Sequence, residues 1–188
     1  SWSMKGSEFR GDQTADQRLG TDVDISSDGS RIVITSDGLD HRSTTNPYIE
    51  SYYPQIQVYD WNNSTSTWDE VDTLYAPNAD STGLIPVPAY TKAANGCAFG
   101  AVASLSSDGT KLIASAPGNA LTAAGRLLAY DLTVIQSLTQ VGNSISGSAT
   151  NYADEFGYDL ALNSTGSRVV VGSYGEKDSS NFITGAVR

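Results

Sequence analysis

Residues 99–118 read FGAVASLSSDGTKLIASAPG. An apolar stretch runs into the polar turn SSDGT, a second apolar stretch follows, and the sentence stops at Pro117-Gly118. Apolar and β-branched runs separated by a short Asp-Gly turn are a hairpin signal, because the glycine adopts the positive φ that such a turn needs. The same sentence is written twice more, as LGTDVDISSDGSRIVITSDG at 19–38 and as FGYDLALNSTGSRVVVGSYG at 156–175. Aligned on Gly20, Gly100 and Gly157, the copies are 80 and then 57 residues apart, so the first unit carries an insertion. Repeats of this length built from short strands predict a propeller or a β-solenoid.

Working outward from the hairpin, a third strand follows at 55–61 (QIQVYDW), at 125–132 (GRLLAYDL) and at 184–188 (TGAVR), with Tyr59 and Tyr130 in one column. A fourth follows at 67–74 (TWDEVDTL) and 137–145 (SLTQVGNSI), and the third unit has none. The opening WSMKGSEFRG aligns with LTQVGNSISG, which sets Trp2 on Leu138, Gly6 on Gly142 and Gly11 on Gly147. The chain then holds one strand, four, four and three, which is three four-stranded blades cut one strand out of phase. The predicted fold is all-β, made of β-propeller blades, in one domain or segment over 1–188. Its parts are an outer strand at 1–10, a blade at 19–75, a blade at 99–146 and a partial blade at 156–188. The N-terminal strand completes a blade, either within one molecule or between molecules, and so hides sheet edges. Three blades are fewer than the usual four to eight. The ring therefore needs further blades of the same chain or a homo-oligomer, a dimer giving six.

Charge and composition narrow the partners. Eleven Lys and Arg against 21 Asp and Glu leave a net charge of −10, which opposes binding to nucleic acid. No apolar run approaches a membrane span, so no membrane insertion is expected. Cys97 is alone and forms no internal disulfide. The acidic, Cys-poor, Ser/Thr/Asn/Gly-rich style points to an extracellular or cell-surface setting.

Phe99-Gly100, Phe156-Gly157 and the Ala-Pro-Gly at 116–118 resemble FG-GAP repeats, the propeller blades of integrin α-subunits and many cell-surface proteins. Leu19-Gly20 is a conservative departure, and TSDG and GSYG stand where the outer units lack Ala-Pro. The resemblance implies a calcium site in the first hairpin turn of each blade. The turns offer only Asp28, only Asp108, and no Asp in NSTGS, whereas calcium takes six to eight oxygens. No metal and no cofactor are expected, and the two aspartates are read as turn formers.

The remaining motifs point to binding. Arg10-Gly11-Asp12 spells an integrin-recognition tripeptide, but Gly11 is explained by its repeat column. His41 has no partner set for a triad or a zinc site, and Cys97 reads as a packed thiol. The carboxylate pairs Asp22/Asp24 and Asp154/Glu155 are not placed across any cleft by the sequence. Sequons at Asn62, Asn63 and Asn163 fall in turns that share one face and mark glycosylation sites. The opposite face carries the long connections 37–54 and 75–98, with Tyr48, Tyr52, Tyr53 and Tyr90 as binding residues for a protein or glycan partner, or as caps on the propeller. The expected function is a non-catalytic extracellular or cell-surface adhesion or assembly module, not an enzyme. The alternatives are a structural subunit of an oligomer or filament joined by blade completion, and the propeller region of a larger secreted hydrolase.

Overall fold

A computed structural model describes residues 1–11, 18–36, 55–75, 99–117, 125–134, 138–147 and 154–188. The fold is all-β: three antiparallel sheets, with no helix among the described residues. Sheet 1 is formed by β1 (Leu19–Ile25), β2 (Arg31–Ser36), β3 (Gln55–Asn62) and β4 (Thr67–Tyr75), neighbours in chain order. Sheet 2 holds β5 (Ala103–Leu105), β6 (Lys111–Ala116), β7 (Arg126–Asp131) and β8 (Thr139–Gln140), with β9 (Ile145–Ser146) also paired to β7. Sheet 3 holds β10 (Phe156–Leu162), β11 (Val169–Ser173) and β12 (Ala186–Val187). Each sheet is a meander in which neighbouring strands pair in chain order, except that β9 returns to β7, and this is the arrangement of a propeller blade.

The repeated Gly has a mechanical cause. The β1–β2 register shifts between Leu19 and Val23, and the β10–β11 register shifts between Phe156 and Asp159. Gly20, Gly100 and Gly157 take φ values of 88°, 75° and 89°, the left-handed region a side chain disfavours. At Gly157 a Cβ would also stand 3.0 Å from the Ser115 Cβ of the preceding sheet. The glycine therefore bends the inner strand and lets it press on its neighbour.

Consecutive sheets stack face to face, and we call the face towards the preceding sheet leading and the other trailing. Val33, Ile56, Val58 and Leu74 of sheet 1 meet Leu105, Leu112, Ala114, Leu128, Tyr130 and Leu132 of sheet 2 in one core. Ile113 and Leu127, on the trailing face of sheet 2, meet Phe156, Leu160 and Val171 of sheet 3 in a second. Among the described residues the first core has 13 buried members and the second five. At roughly 1.5–3 kcal/mol for each fully buried large aliphatic, sheets 1 and 2 form the firmer pair.

Polar groups lock the same stack. Asp22 Oδ2 accepts the Ala103 N–H at 2.8 Å and Asp24 Oδ2 accepts the Leu105 N–H at 2.7 Å. The hairpin turns form a ladder: Ser27 N–H donates to Ser107 O at 2.8 Å, and Ser107 N–H donates to Ser164 O at 2.9 Å. Arg31 pairs with Asp60 and also donates to Gly109 O and Leu132 O, bridging two sheets.

Two details differ from the sequence reading. The single fourth strand expected at 137–145 is split into β8 and β9 around Gly142, whose φ is 68°. Residues 1–11 form no strand and do not pair with β12 in this chain; they lie on the leading face of sheet 1. Phe9 stacks on Tyr59 at 4.7 Å, Lys5 Nζ sits 4.5 Å from the Trp61 ring centroid, and Trp68 Nε1 donates to Lys5 O at 3.0 Å. Aromatic surface and a cation drew the segment there.

Candidate functional site

Tyr48, Tyr52, Tyr53 and Tyr90, together with His41 and Cys97, lie outside the described residues. The predicted glycosylation asparagines are all described, and they differ. Asn62 Nδ2 donates to Asp69 Oδ2 while its Oδ1 caps the Ser64 N–H, and Asn163 Nδ2 donates to Thr165 and Ser167. Asn63 is exposed and uses its Oδ1 to accept from Trp61 Nε1, so its amide nitrogen is the least committed of the three. Arg10 is held by Glu8 at 2.7 Å, and Asp12 is outside the described residues.

The turn aspartates are spent on the turns. Asp28 Oδ1 accepts from Ser26 Oγ, Ser30 N–H and Ser30 Oγ, and Asp108 Oδ1 repeats the set with Ser106 and Thr110. These donors, first the Ser26 or Ser106 hydroxyl, hold each carboxyl down to about 2. Among the described residues no group of three His, Cys, Asp or Glu is arranged to hold a metal.

The carboxylates that stand apart open sheet 3. Asp154 is buried: its Oδ1 accepts the Phe156 N–H at 3.2 Å, and its Oδ2 has no hydrogen-bond partner among the described residues. A Cβ on Gly147 would fall 2.5 Å from that Oδ2, so the glycine is what makes room for the acid. Beside it Glu155 has φ 52°. Arg18, in the same repeat column, has φ 50°, so the conformation belongs to the strand entry and the carboxyl is what sheet 3 adds. Burial, and then the Asp154 charge, raise the Glu155 carboxyl above its usual 4.5. Glu155 in turn pushes the Tyr174 phenol up, and Tyr174 meets Tyr158 edge to face at 4.5 Å. Arg188 closes the group, paired with Glu176 at 2.6 Å and lying over the Phe156 ring at 5.9 Å. The arrangement is a buried acid, a second acid that holds its proton to higher pH, and an aromatic wall. Sequence reasoning named the Asp154/Glu155 pair but had no measure of their burial, which depends on Gly147 and on sheet 2.

No family model matches the chain, and no curated protein matches it. Among solved structures, a candidate 6-phosphogluconolactonase of Bacteroides fragilis is similar, at 15% identity and a TM-score of 0.48, over 87% of this chain and 36% of that one. The chain thus spans about a third of that structure's length, and the likeness assigns it neither a substrate nor a site.

These comparisons correct three expectations. The FG-GAP resemblance is withdrawn, since no family model matches. The Phe-Gly pair that suggested it is accounted for by the bulge of the inner strand and its approach to the preceding sheet. The reading as a non-catalytic adhesion or assembly module is not carried forward; the similar structure is described as a candidate 6-phosphogluconolactonase. The expectation that the chain is not an enzyme is not carried forward either.

Proposed function

We propose that this chain is part of the propeller of a larger secreted hydrolase, to which it contributes the acidic group at the start of β10. The observation that carries the reading is the Glu155 carboxyl, raised by burial and by the neighbouring Asp154 charge. An acid that keeps its proton closer to neutral pH suits proton donation to a leaving group. Asp154, buried with one oxygen uncommitted, supports it as the second carboxylate. Tyr158 and Tyr174 offer an apolar wall with polar tips against which a ring-shaped substrate rests. The acidic, Ser/Thr/Asn/Gly-rich composition supports a setting outside the cell.

The test is hydrolysis of a sugar lactone, aryl esters and aryl glycosides by the protein carrying this chain. Glu155→Gln should lower turnover about 100-fold or more. The rate should fall as pH rises through the Glu155 pKa, which lies above 4.5. Absence of hydrolysis in every class, or equal rates for the wild type and Glu155→Gln, removes the reading.

A further inference from the structure

The β3–β4 turn carries two overlapping sequons, Asn62-Asn63-Ser64 and Asn63-Ser64-Thr65, and the β10–β11 turn carries a third, Asn163-Ser164-Thr165. We infer that Asn63, alone of the three, is the acceptor of an N-linked glycan. From the reading above this takes only the setting outside the cell, and nothing of the hydrolysis.

The reaction sets the requirement. The asparagine Nδ2 attacks C1 of the reducing-end sugar of an oligosaccharide carried on a polyisoprenyl diphosphate. The Nδ2–C1 bond forms, the C1–O bond to the diphosphate breaks, and the amide nitrogen gives up one proton as the lipid diphosphate leaves. The product keeps a single N–H on Nδ2, and the sugar needs open space beside it. An asparagine suits when its Nδ2 is uncommitted and its side chain faces solvent.

Asn163 spends both amide hydrogens. Its Nδ2 donates to Thr165 Oγ1 at 3.0 Å and to Ser167 Oγ at 3.3 Å, so a sugar there removes one of these bonds. The following carbonyl, Ser164 O, accepts the Ser107 N–H at 2.9 Å, which presses this turn against sheet 2. Asn62 is half-buried, and its amide is held at both ends. Its Nδ2 donates to Asp69 Oδ2 at 2.7 Å and its Oδ1 accepts the Ser64 N–H at 2.9 Å.

Asn63 differs from both. It is exposed, and its Oδ1 accepts from Trp61 Nε1 at 3.1 Å. An indole N–H only donates, so this bond fixes which end of the amide is oxygen and leaves Nδ2 clear. Nδ2 has no hydrogen bond among the described residues. The same bond holds the Trp61 ring next to the acceptor side chain, within reach of the first sugar, whose C–H face packs on aromatic surface. Two residues before Asn62 stands Asp60, which is bound to Arg31, and two before Asn163 stands Ala161. Neither offers such a surface. The β3–β4 turn belongs to sheet 1, with sheet 2 between it and sheet 3, so a glycan here leaves Asp154 and Glu155 uncovered.

The test is peptide mass spectrometry of the protein carrying this chain, secreted from a eukaryotic host. Spectra are taken before and after release of the glycan by an amidase that leaves aspartate at the acceptor. The wild type should carry a glycan at Asn63 and none at Asn62 or Asn163. The overlap of the sequons supplies the controls. Ser64→Ala destroys only the Asn62 sequon and should keep the glycan. Thr65→Ala destroys only the Asn63 sequon and should lose it, as should Asn63→Gln. Ser64 and Thr65 are both exposed, so these variants should be secreted as the wild type is. A bare β3–β4 turn in the wild type overturns the inference. So does a glycan in that turn that survives Thr65→Ala, or an Asn163 occupied as fully as Asn63. None of these outcomes moves the comparison of Glu155→Gln with wild type, which stands or falls separately.

Discussion

Asp28 and Asp108 each tie a hairpin turn through one charged oxygen, and the third copy does the same work with a neutral group. Asn163 Oδ1 accepts the Ser167 N–H and the Arg168 N–H, both at 2.8 Å. In the first copy those two donors are shared between Asp28, which takes the Ser30 N–H, and Ser26 Oγ, which takes the Arg31 N–H. One amide thus replaces a carboxylate and a hydroxyl. The consequence is a difference in pH response. The Asp28 and Asp108 carboxyls fall from 3.8 to about 2 on folding, so their stabilisation is present above pH 3.8 and is lost as pH falls through about 2. The Ser30 and Thr110 amide proton shifts should move over that acid window, while the Ser167 amide stays still. Movement of all three together would mean the sheets unfold before the turns titrate. The turns themselves were legible in sequence, because SSDG and NSTG carry their hydrogen-bond chemistry within five residues. The Asp154/Glu155 group was not. Its burial comes from Gly147 and from a neighbouring sheet, neither of which leaves a local pattern.

At the scale of strands, the hairpins followed from alternation and from Gly spacing, and the inner three strands of each sheet lie close to their sequence bounds. The fourth strands did not follow as simply. In sheet 1, β4 has Trp68 facing Trp61 across the ladder and runs unbroken, whereas in sheet 2 the fourth strand yields at Gly142 to the short pieces β8 and β9. Cross-strand aromatic pairs stabilise such a ladder, and sheet 2 has none there among the described residues. What joins one sheet to the next is concentrated at β2. Arg31 makes a two-pronged pair with Asp60, its Nε 2.6 Å from Oδ1, and spends the rest of its guanidinium on two carbonyls of sheet 2. Lys111, the same column one sheet on, makes a single exposed bond to Thr165 O at 3.2 Å. Hydrogen bonds to a partly buried charge contribute about 1.5–3 kcal/mol, and an exposed single contact under about 1 kcal/mol. Arg31→Ala should therefore lower stability in urea by about 2 kcal/mol and Lys111→Ala by less than half of that. Equal losses would show that the bridge from β2 to sheet 2 adds nothing to the apolar contact beneath it.

At the scale of the whole molecule, and among the described residues, sheet 2 packs against a sheet on both faces and sheets 1 and 3 on one each. The repeat count made a stack of three sheets legible in advance, since it needs only the columns. The position of residues 1–11 depended on surfaces that no alignment displays: the edge-to-face pair of Trp61 and Trp68, and the cation that Lys5 brings to it. Unequal coverage sets an order of stability. β6 and β7 supply Leu112, Ala114, Leu128 and Tyr130 to one core and Ile113 and Leu127 to the other, so opening them breaks both. β11 and β12 have only the smaller core behind them, and Val187 is 74% exposed. Amide hydrogen exchange should then be slowest in β6 and β7 and fastest in β11 and β12, with β2 and β3 between, because local opening follows the apolar contact that must be broken. Protection equal in all three sheets would mean the stack opens only as one unit.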